Sequence, residues 1–586
     1  MKLPKCHIDN YPRPQFVRKN FINLNGEWDF EFDPDNVGEK EKWYKKTSFS
    51  RKITVPFAYQ TEASGIFEPD THVNNVWYLK KLSYNKKKDK RFILTFEGVD
   101  FIAKVYVNGE MVGTHRGAYT RFSFDITNYL KAENVIVVKC EDSLSRTQPR
   151  GKQRWEKENF GCWYTDTTGI WKTVWAEEVP TSYLKGASYS CDFANNYVTY
   201  EYEVENYKEG LSLEIEVSFR GKLLNKTEKT ITERLGTMAF TLTSVNENWG
   251  YQAWSHAWPN LYDIVFTLKY NGKAIDEVGS YMGFAQYSTN NQQILVNYSP
   301  TYLRMVLDQG YFPKSDLTPK DDAEIIQDIK LMQDMGFNGA RKHQKIEDER
   351  FYYYCDVMGL YAWCEMPSPF EFCEEEVELT MKEWVDIVRQ YKNHPSIMTW
   401  VAFNESWGVL NILNNPKQQA LTLSAYYLVK SLDQNKFVVS NDGWEHTKSD
   451  LITIHDYSDN GAKIKELYGD IQNVSATTVS RSRENRPIFA RGFKYEGQPV
   501  LISEYGGIAF TGDKAKDAWG YGDKVETEAD FLKRYEDTTD GIYACPNISG
   551  FCVTQLTDVM QEVNGLLTID RKPKVSVAEL KRIHSK

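Results

Sequence analysis

The spacing of apolar and polar residues changes character along the 586-residue chain. Residues 1–180 carry short alternating runs such as Arg91-Phe92-Ile93-Leu94-Thr95-Phe96 and Ala103-Lys104-Val105-Tyr106-Val107, a period of two that predicts half-buried strands. Asn108-Gly109 after the second run predicts a tight hairpin, because a type I′ turn needs positive φ at both central positions. Many short strands with frequent turns predict a β jelly roll or sandwich. Residues 181–285 continue in strands at Tyr197–Val204, Leu211–Phe219 and Leu261–Tyr270, enough for one immunoglobulin-like β-sandwich.

From residue 286 to 586 the period lengthens. Asp321–Gly336 places apolar residues at helical spacing and ends on a glycine suited to a helix terminus. A strand at Phe337, a helix over Asp348–Met358 and a strand over Leu360–Cys364 follow. Strand-like runs recur at Leu303–Leu307, Ile397–Phe403, Phe437–Ser440, Leu451–Ile454, Val500–Ile502 and Ile548–Val553. Eight strands separated mostly by helix-length segments predict a C-terminal (β/α)8 TIM barrel, with a doubly wound sheet as the structural competitor. The chain thus divides into a jelly roll (1–180), an immunoglobulin-like sandwich (181–285) and a barrel (286–586).

Composition narrows the classes. A net charge of -10 argues against nucleic-acid partners, which call for a basic face. The Lys86-Lys87-Lys88 run reads as a solvated turn. No run of about 18 apolar residues exists to span a membrane. The first six residues have no apolar stretch, so no secretory signal is expected. Nine scattered cysteines without a Cys-x-x-Cys pair or a histidine cluster predict reduced thiols in cytoplasm and no structural metal. The 14% aromatic content suits sugar stacking and β-sheet cores equally.

The chemistry concentrates at two strand ends. Ile397–Phe403 is apolar throughout, as a parallel strand buried on both faces should be, and runs into Asn404-Glu405-Ser406. Val500-Leu501-Ile502 leads into Ser503-Glu504-Tyr505-Gly506-Gly507. These are the fourth and seventh strands by position, and barrel chemistry sits at the C-terminal ends of strands. Two carboxylates facing one cleft suit glycoside transfer: one protonates the leaving oxygen, the other faces the anomeric carbon. A separation of roughly 5–5.5 Å would give retention through a covalent glycosyl-enzyme. Burial and mutual repulsion would keep the acid protonated. A lone glutamate at either place would read as a strand-end ion-pair partner.

These stretches resemble glycoside hydrolase family 2, which holds β-galactosidases, β-glucuronidases and β-mannosidases, and the resemblance runs along essentially the whole chain. It implies that Glu405 is the acid/base, Glu504 the nucleophile, and Asn404 a ligand of the sugar 2-hydroxyl. Asn338–His343 resembles the second-strand motif, implying cleft roles for Arg341 and His343. Trp363-Cys364-Glu365 resembles the third-strand acidic motif, and His455-Asp456-Tyr457 the sixth-strand end, where Tyr457 would contact the nucleophile and Asp456 lies alongside. Trp444 after the fifth strand is a further candidate for the cleft. Ile22–Trp28, Val105–Gly109 and Thr168–Trp171 resemble the sugar-binding jelly roll of the family.

The departures bear on the sugar. Glucuronidases carry an Asn-x-Lys motif for the substrate carboxylate; the matching positions here are Glu562 and Asn564, and an acid would repel a uronate. Where the family often has an aspartate six residues before the Gly-Ile turn, this chain has Trp163, with Asp166 nearby. The eighth strand lacks the common tryptophan, leaving Gln555 and Asp558 to offer hydrogen bonds. The expected activity is a retaining exo-β-glycosidase acting on a small glycoside or oligosaccharide, with a neutral β-galactoside as the leading substrate and a β-glucuronide as the alternative. A non-catalytic carbohydrate-binding protein is the competitor from another class. No organic cofactor is expected. Resemblance to some galactosidases admits Mg2+ without assigning ligands, and carries over a homo-oligomer.

Overall fold

The computed structural model describes residues 2–242, 251–290, 292–474, 478–481, 484–510 and 518–586, with backbone alone at 473, 478–481 and 484–485. Its N-terminal part is two antiparallel sheets face to face. Six strands pair in the order Arg51–Val55, Gly26–Phe32, Asn75–Ser83, Glu133–Glu141, Ile102–Val107, Glu110–Arg116. Four pair in the order Phe21–Asn23, Val174–Pro180, Lys90–Phe96, Phe122–Asp125. Alternate residues, among them Trp28, Phe30, Val76, Tyr78, Leu94 and Phe96, fill the space between them. The Asn108-Gly109 turn forms as predicted, with φ of +53° and +82° between paired Val107 and Glu110. A second sandwich, of three and four strands, spans Tyr183 to Met282 around Val198, Leu213, Ile215 and Phe266.

The C-terminal part is a parallel barrel. Its strands are β1 (Leu303–Asp308), β2 (Gly339–Lys342), β3 (Tyr361–Glu365), β4 (Ile397–Val401), β5 (Phe437–Val439), β6 (Ile452–His455), β7 (Val500–Gly506) and β8 (Ile548–Thr554). They pair in the order β5-β4-β3-β2-β1-β8-β7-β6, so the doubly wound alternative falls. The sheet stays open only between β5 and β6, where no strand ladder forms. The His446 side chain, from the loop after β5, meets β6 there: its Nε2 lies 3.1 Å from the Thr453 amide, which donates to it, and 2.9 Å from the Thr453 carbonyl. Met305 and Leu307 point into the barrel with Trp363, Met398 and Leu501, whereas Val306, Ala340 and Trp400 pack outward against the helices.

Helices follow their local signals. Asp321 caps Asp322–Asp334 by accepting from the amides of Ala323 and Glu324, and Gly336 leaves that helix at φ +91°. Glu374–Tyr391 opens on three glutamates, which suit the positive end of its dipole. Buried Arg18 ties the parts together, binding Glu177 of the first sandwich at 3.0 Å and Asp276 of the second at 2.8 Å. Among the described residues no helix is long and apolar enough to cross a membrane.

Candidate active site

β4 is buried on both faces, as its unbroken apolar run requires, and the chain leaves it through Ala402, Phe403 and Asn404. Glu405 and Ser406 then adopt left-handed backbone, φ +51° and +61°, which non-glycine residues enter only when their surroundings compel it. Here the surroundings are polar and specific. The Glu405 amide donates to the Asp442 carbonyl at 2.9 Å, the Ser406 amide to Asn441 Oδ1 at 2.9 Å, and Ser406 Oγ to Glu445 at 2.6 Å. The effect is to turn the Glu405 side chain back toward the barrel axis. Glu504 needs no such turn, since it lies within β7. The chain peels away just beyond it at Gly507, φ +59°, where a Cβ would stand 2.5 Å from the Tyr521 ring.

Arg341, at the end of β2 and fully buried, organises the floor. Its guanidinium donates to Glu504 Oε1 at 2.9 Å, to Asn404 Oδ1 at 2.7 Å and to Glu365 Oε2 at 2.7 Å. Burial works against its charge, but Asp442, Glu365 and Glu504 hold it firmly cationic. The other Glu504 oxygen accepts from the Tyr457 hydroxyl. Burial and then the Glu504 charge push that phenol up, so Tyr457 remains a donor; its ring stacks on Tyr521 at 3.4 Å. For Glu504 itself, burial pushes the carboxyl up, yet the charges of His455 and Arg341 and the Tyr457 bond outweigh it and hold the group at about 2.

His455 links the two acids. Its Nδ1 is 2.8 Å from Glu405 Oε1, and its Nε2 is 2.8 Å from Asp442 Oδ1 and 3.4 Å from Glu504 Oε1. Asp442 also accepts from Ser503 Oγ at 2.5 Å. Burial raises the Asp442 carboxyl, but Arg341 and His455 pull it below the usual carboxylate range. The ligating atoms of Glu405, His455 and Glu504 all lie within 4.8 Å of one another, so the two glutamates present oxygens across one small gap.

His343 is buried at the same wall, 2.9 Å from Glu365 Oε1 but off hydrogen-bonding angle. Burial, then the Lys152 and Arg341 charges, push its imidazole well down, which keeps it neutral. Glu365 also accepts from the Gln344 amide at 2.9 Å. The sequence-predicted residues Glu405, Glu504, Asn404, Arg341, Glu365, His343 and Tyr457 therefore converge. The rest do not all join them. Asp456 braces its own loop, accepting from the Ser458 amide and from Tyr468 at 2.6 Å. Trp444 packs edge-on to His455, at 5.5 Å between rings. Gln555 exchanges bonds with Gln309 and Asn564, each at 2.7 Å, and Asp558 pairs with Lys574 and the Gly565 amide. Glu562 accepts from Tyr164, and from Asn564 at 3.0 Å.

Trp163 comes from the first sandwich, not the barrel, and stacks on Trp407 at 5.0 Å, two residues past Glu405. Its neighbour Asp166 is instead held by Gln60, His72 and Arg154. The functional contacts that sequence reading passed over are His455, Asp442 and Trp407. An acid directly after the apolar fifth strand, Asn441-Asp442-Gly443, was the available signal for one of them.

Among the described residues two clusters bring three metal-type ligand atoms within 4.8 Å: Glu405, His455 and Glu504, and His72, Asp142 and Asp166. Each already holds an arginine on one carboxylate, Arg341 at 2.9 Å and Arg154 at 3.1 Å, so neither fits a dication such as Mg2+.

Family models match along the chain: the glycosyl hydrolases family 2 sugar binding domain over residues 21–149, glycosyl hydrolases family 2 over 183–284, and the glycosyl hydrolases family 2 TIM barrel domain over 289–586. A β-galactosidase of Thermoanaerobacter pseudethanolicus is 25% identical over 66% of this chain and 52% of its own length. A β-glucuronidase of Streptococcus agalactiae serotype V is 22% identical over 96% of each. The chain spans about half the length of the first curated relatives it matches. In fold it is similar to the β-glucuronidase from Ruminococcus gnavus solved with D-glucuronic acid, with TM-score 0.78 at 18% identity over 98% of this chain and 99% of that one. With its three domains matched in order and the barrel model covering just over half of its length, the chain belongs to glycosyl hydrolases family 2.

Proposed function

We propose that the protein is a retaining exo-β-glycosidase in which Glu504 is the nucleophile and Glu405 the general acid/base. The observation that carries this reading is the pair of carboxylates set across one gap, one of them held ionised at about 2 by Arg341, His455 and Tyr457. The closeness of the pair favours direct attack over an intervening water, since inverting enzymes separate their carboxyls by roughly 6.5–9.5 Å. Glu504 attacks the anomeric carbon while Glu405 gives its proton to the departing oxygen. His455, 2.8 Å from Asp442 Oδ1 through Nε2 and 2.8 Å from Glu405 Oε1 through Nδ1, holds the acid/base in place beside the nucleophile. In the second half-reaction Glu405 takes a proton from water as the water oxygen attacks the anomeric carbon and the bond to Glu504 breaks, which releases the sugar with retained configuration. Asn404, its Oδ1 held by Arg341, is left with its Nδ2 amide to donate to the sugar 2-hydroxyl.

For the glycone, a neutral β-galactoside is the leading reading. Glu562 stands where glucuronidases place a uronate-binding motif, and it is 3% exposed and bonded to Tyr164 and Asn564. Relatives named both β-galactosidase and β-glucuronidase keep the β-glucuronide as the second reading. The test is a panel of p-nitrophenyl β-glycosides (galactoside, glucoside, glucuronide, mannoside, fucoside, arabinoside) assayed with the wild type and Glu504→Gln. A 2-deoxy-2-fluoro analogue of the preferred sugar, read by intact mass, should add one glycosyl group to the wild type and none to the variant. Undiminished turnover by Glu504→Gln would overturn the assignment.

A further inference from the structure

The segment 150–165 leaves the first sandwich and crosses the mouth of the barrel. Gly151 seats it: φ is +57°, its amide donates to the Ser368 carbonyl at 3.1 Å, and a Cβ would stand 2.3 Å from the Gln344 carbonyl oxygen. The segment folds back on itself, Tyr164 donating to the Lys152 carbonyl at 2.8 Å and Arg154 to the Tyr164 carbonyl at 2.7 Å. Trp519 and Gln561 clamp its tip through the Gly161 carbonyl, both at 2.9 Å. It is therefore a fixed wall of the cleft, held from the β2–β3 side and from the β8 side.

This wall carries a cation. Lys152 Nζ lies 4.9 Å from the centre of the Trp407 ring, the residue whose other contacts are Trp163 and Phe370. By contrast the barrel lysines Lys342 and Lys345 both reach Glu347, at 2.7 and 2.8 Å. Among the described residues no carboxylate stands within ion-pair distance of Lys152. Its charge also helps to push the buried His343 imidazole down. A half-buried ammonium without a counter-charge, in a protein of net charge -10, calls for an anion from outside.

We infer that Lys152, seated over Trp407, is a specificity determinant that binds a carboxylate of an acidic saccharide or glycoside on the leaving-group side of the cleft. The side follows from sequence and geometry together: Trp407 lies two residues past Glu405, the group that protonates the departing oxygen, so what touches this ring belongs to the departing part. The inference rests on the β-glycosidase reading above. It also accounts for a cleft that lacks the uronate motif yet keeps a free cation, since the charge it reads need not be on the cleaved sugar.

The test compares wild type, Lys152→Met and Lys152→Arg on the 4-carboxyphenyl and 4-carbamoylphenyl β-glycosides of the preferred sugar, with the p-nitrophenyl glucuronide and glucoside as the second pair. The wild type should favour the carboxylate in kcat/KM, and Lys152→Met should lower the carboxylate-to-amide ratio by about tenfold, chiefly through KM, as loss of one charge-assisted contact requires. Lys152→Arg should restore most of the ratio. An unchanged ratio in Lys152→Met overturns the inference while leaving the glycosidase reading intact. A change confined to the glucuronide pair overturns the leaving-group placement and puts the carboxylate on the cleaved sugar. Failure of the glycosidase reading shows separately, as activity indifferent to Glu504→Gln.

Discussion

Tyr457→Phe isolates one hydrogen bond in the proposed machinery. The hydroxyl donates to Glu504 Oε2 and lies 3.1 Å from Thr554 Oγ1, while the ring stacks on Tyr521 at 3.4 Å. Phenylalanine keeps the stack and removes only the donor, so folding should survive with little change in Tm. A hydrogen bond to a charged group is worth about 1.5–3 kcal/mol, which corresponds to a loss of roughly ten- to 150-fold in rate if the bond orients the attacking carboxylate. The same deletion removes one of the groups that hold Glu504 at about 2, so its pKa must rise toward the ordinary carboxylate range. The nucleophile works only when ionised, and the acidic limb of kcat/KM should therefore move to higher pH in the variant. The assay is a pH profile of kcat/KM on the best p-nitrophenyl glycoside, paired with thermal melting. Activity within twofold of wild type, with an unmoved acidic limb, would refute the claim that Tyr457 tunes the nucleophile.

Two structural predictions accompany it. Gly151→Ala forces a left-handed backbone on alanine and drives Cβ against the Gln344 carbonyl, so the strain of about 1–3 kcal/mol should lower Tm and loosen the cleft wall; calorimetry with KM on the best glycoside checks it. Arg18→Met leaves Glu177 and Asp276 buried without their shared cation, and the loss of about 3–5 kcal/mol should appear as an earlier urea transition, with the active-site residues untouched.

Much of this protein was written in local pattern. Period-two alternation and an Asn-Gly turn are backbone preferences that act over a few residues, so the two sandwiches were legible without any tertiary information. Apolar runs that stop at Asn404-Glu405 and Ser503-Glu504 marked the two glutamates that meet across one gap, because a strand buried on both faces can bear carboxylates only at its mouth. Arg341, Glu365 and Tyr457 came instead from the family resemblance, and they stand at or just past the ends of β2, β3 and β6. What the pattern could not carry was contact between distant segments. That His455 joins Glu405 to Asp442, 50 and 13 residues away, follows from the loop after β5 folding over the end of β6, and no spacing encodes it. The left-handed turn at Glu405 is likewise imposed by Asn441, Asp442 and Glu445 across the seam, against the residue's own preference. Lys152 and Trp163 belong to a β-sandwich segment by sequence; only its lodging between Gln344, Ser368 and Gln561 makes them part of the barrel's mouth. Local energetics chose the elements, whereas electrostatics within a water-poor cavity depends on which charges the fold brings within a few ångströms, a property of the assembled chain alone.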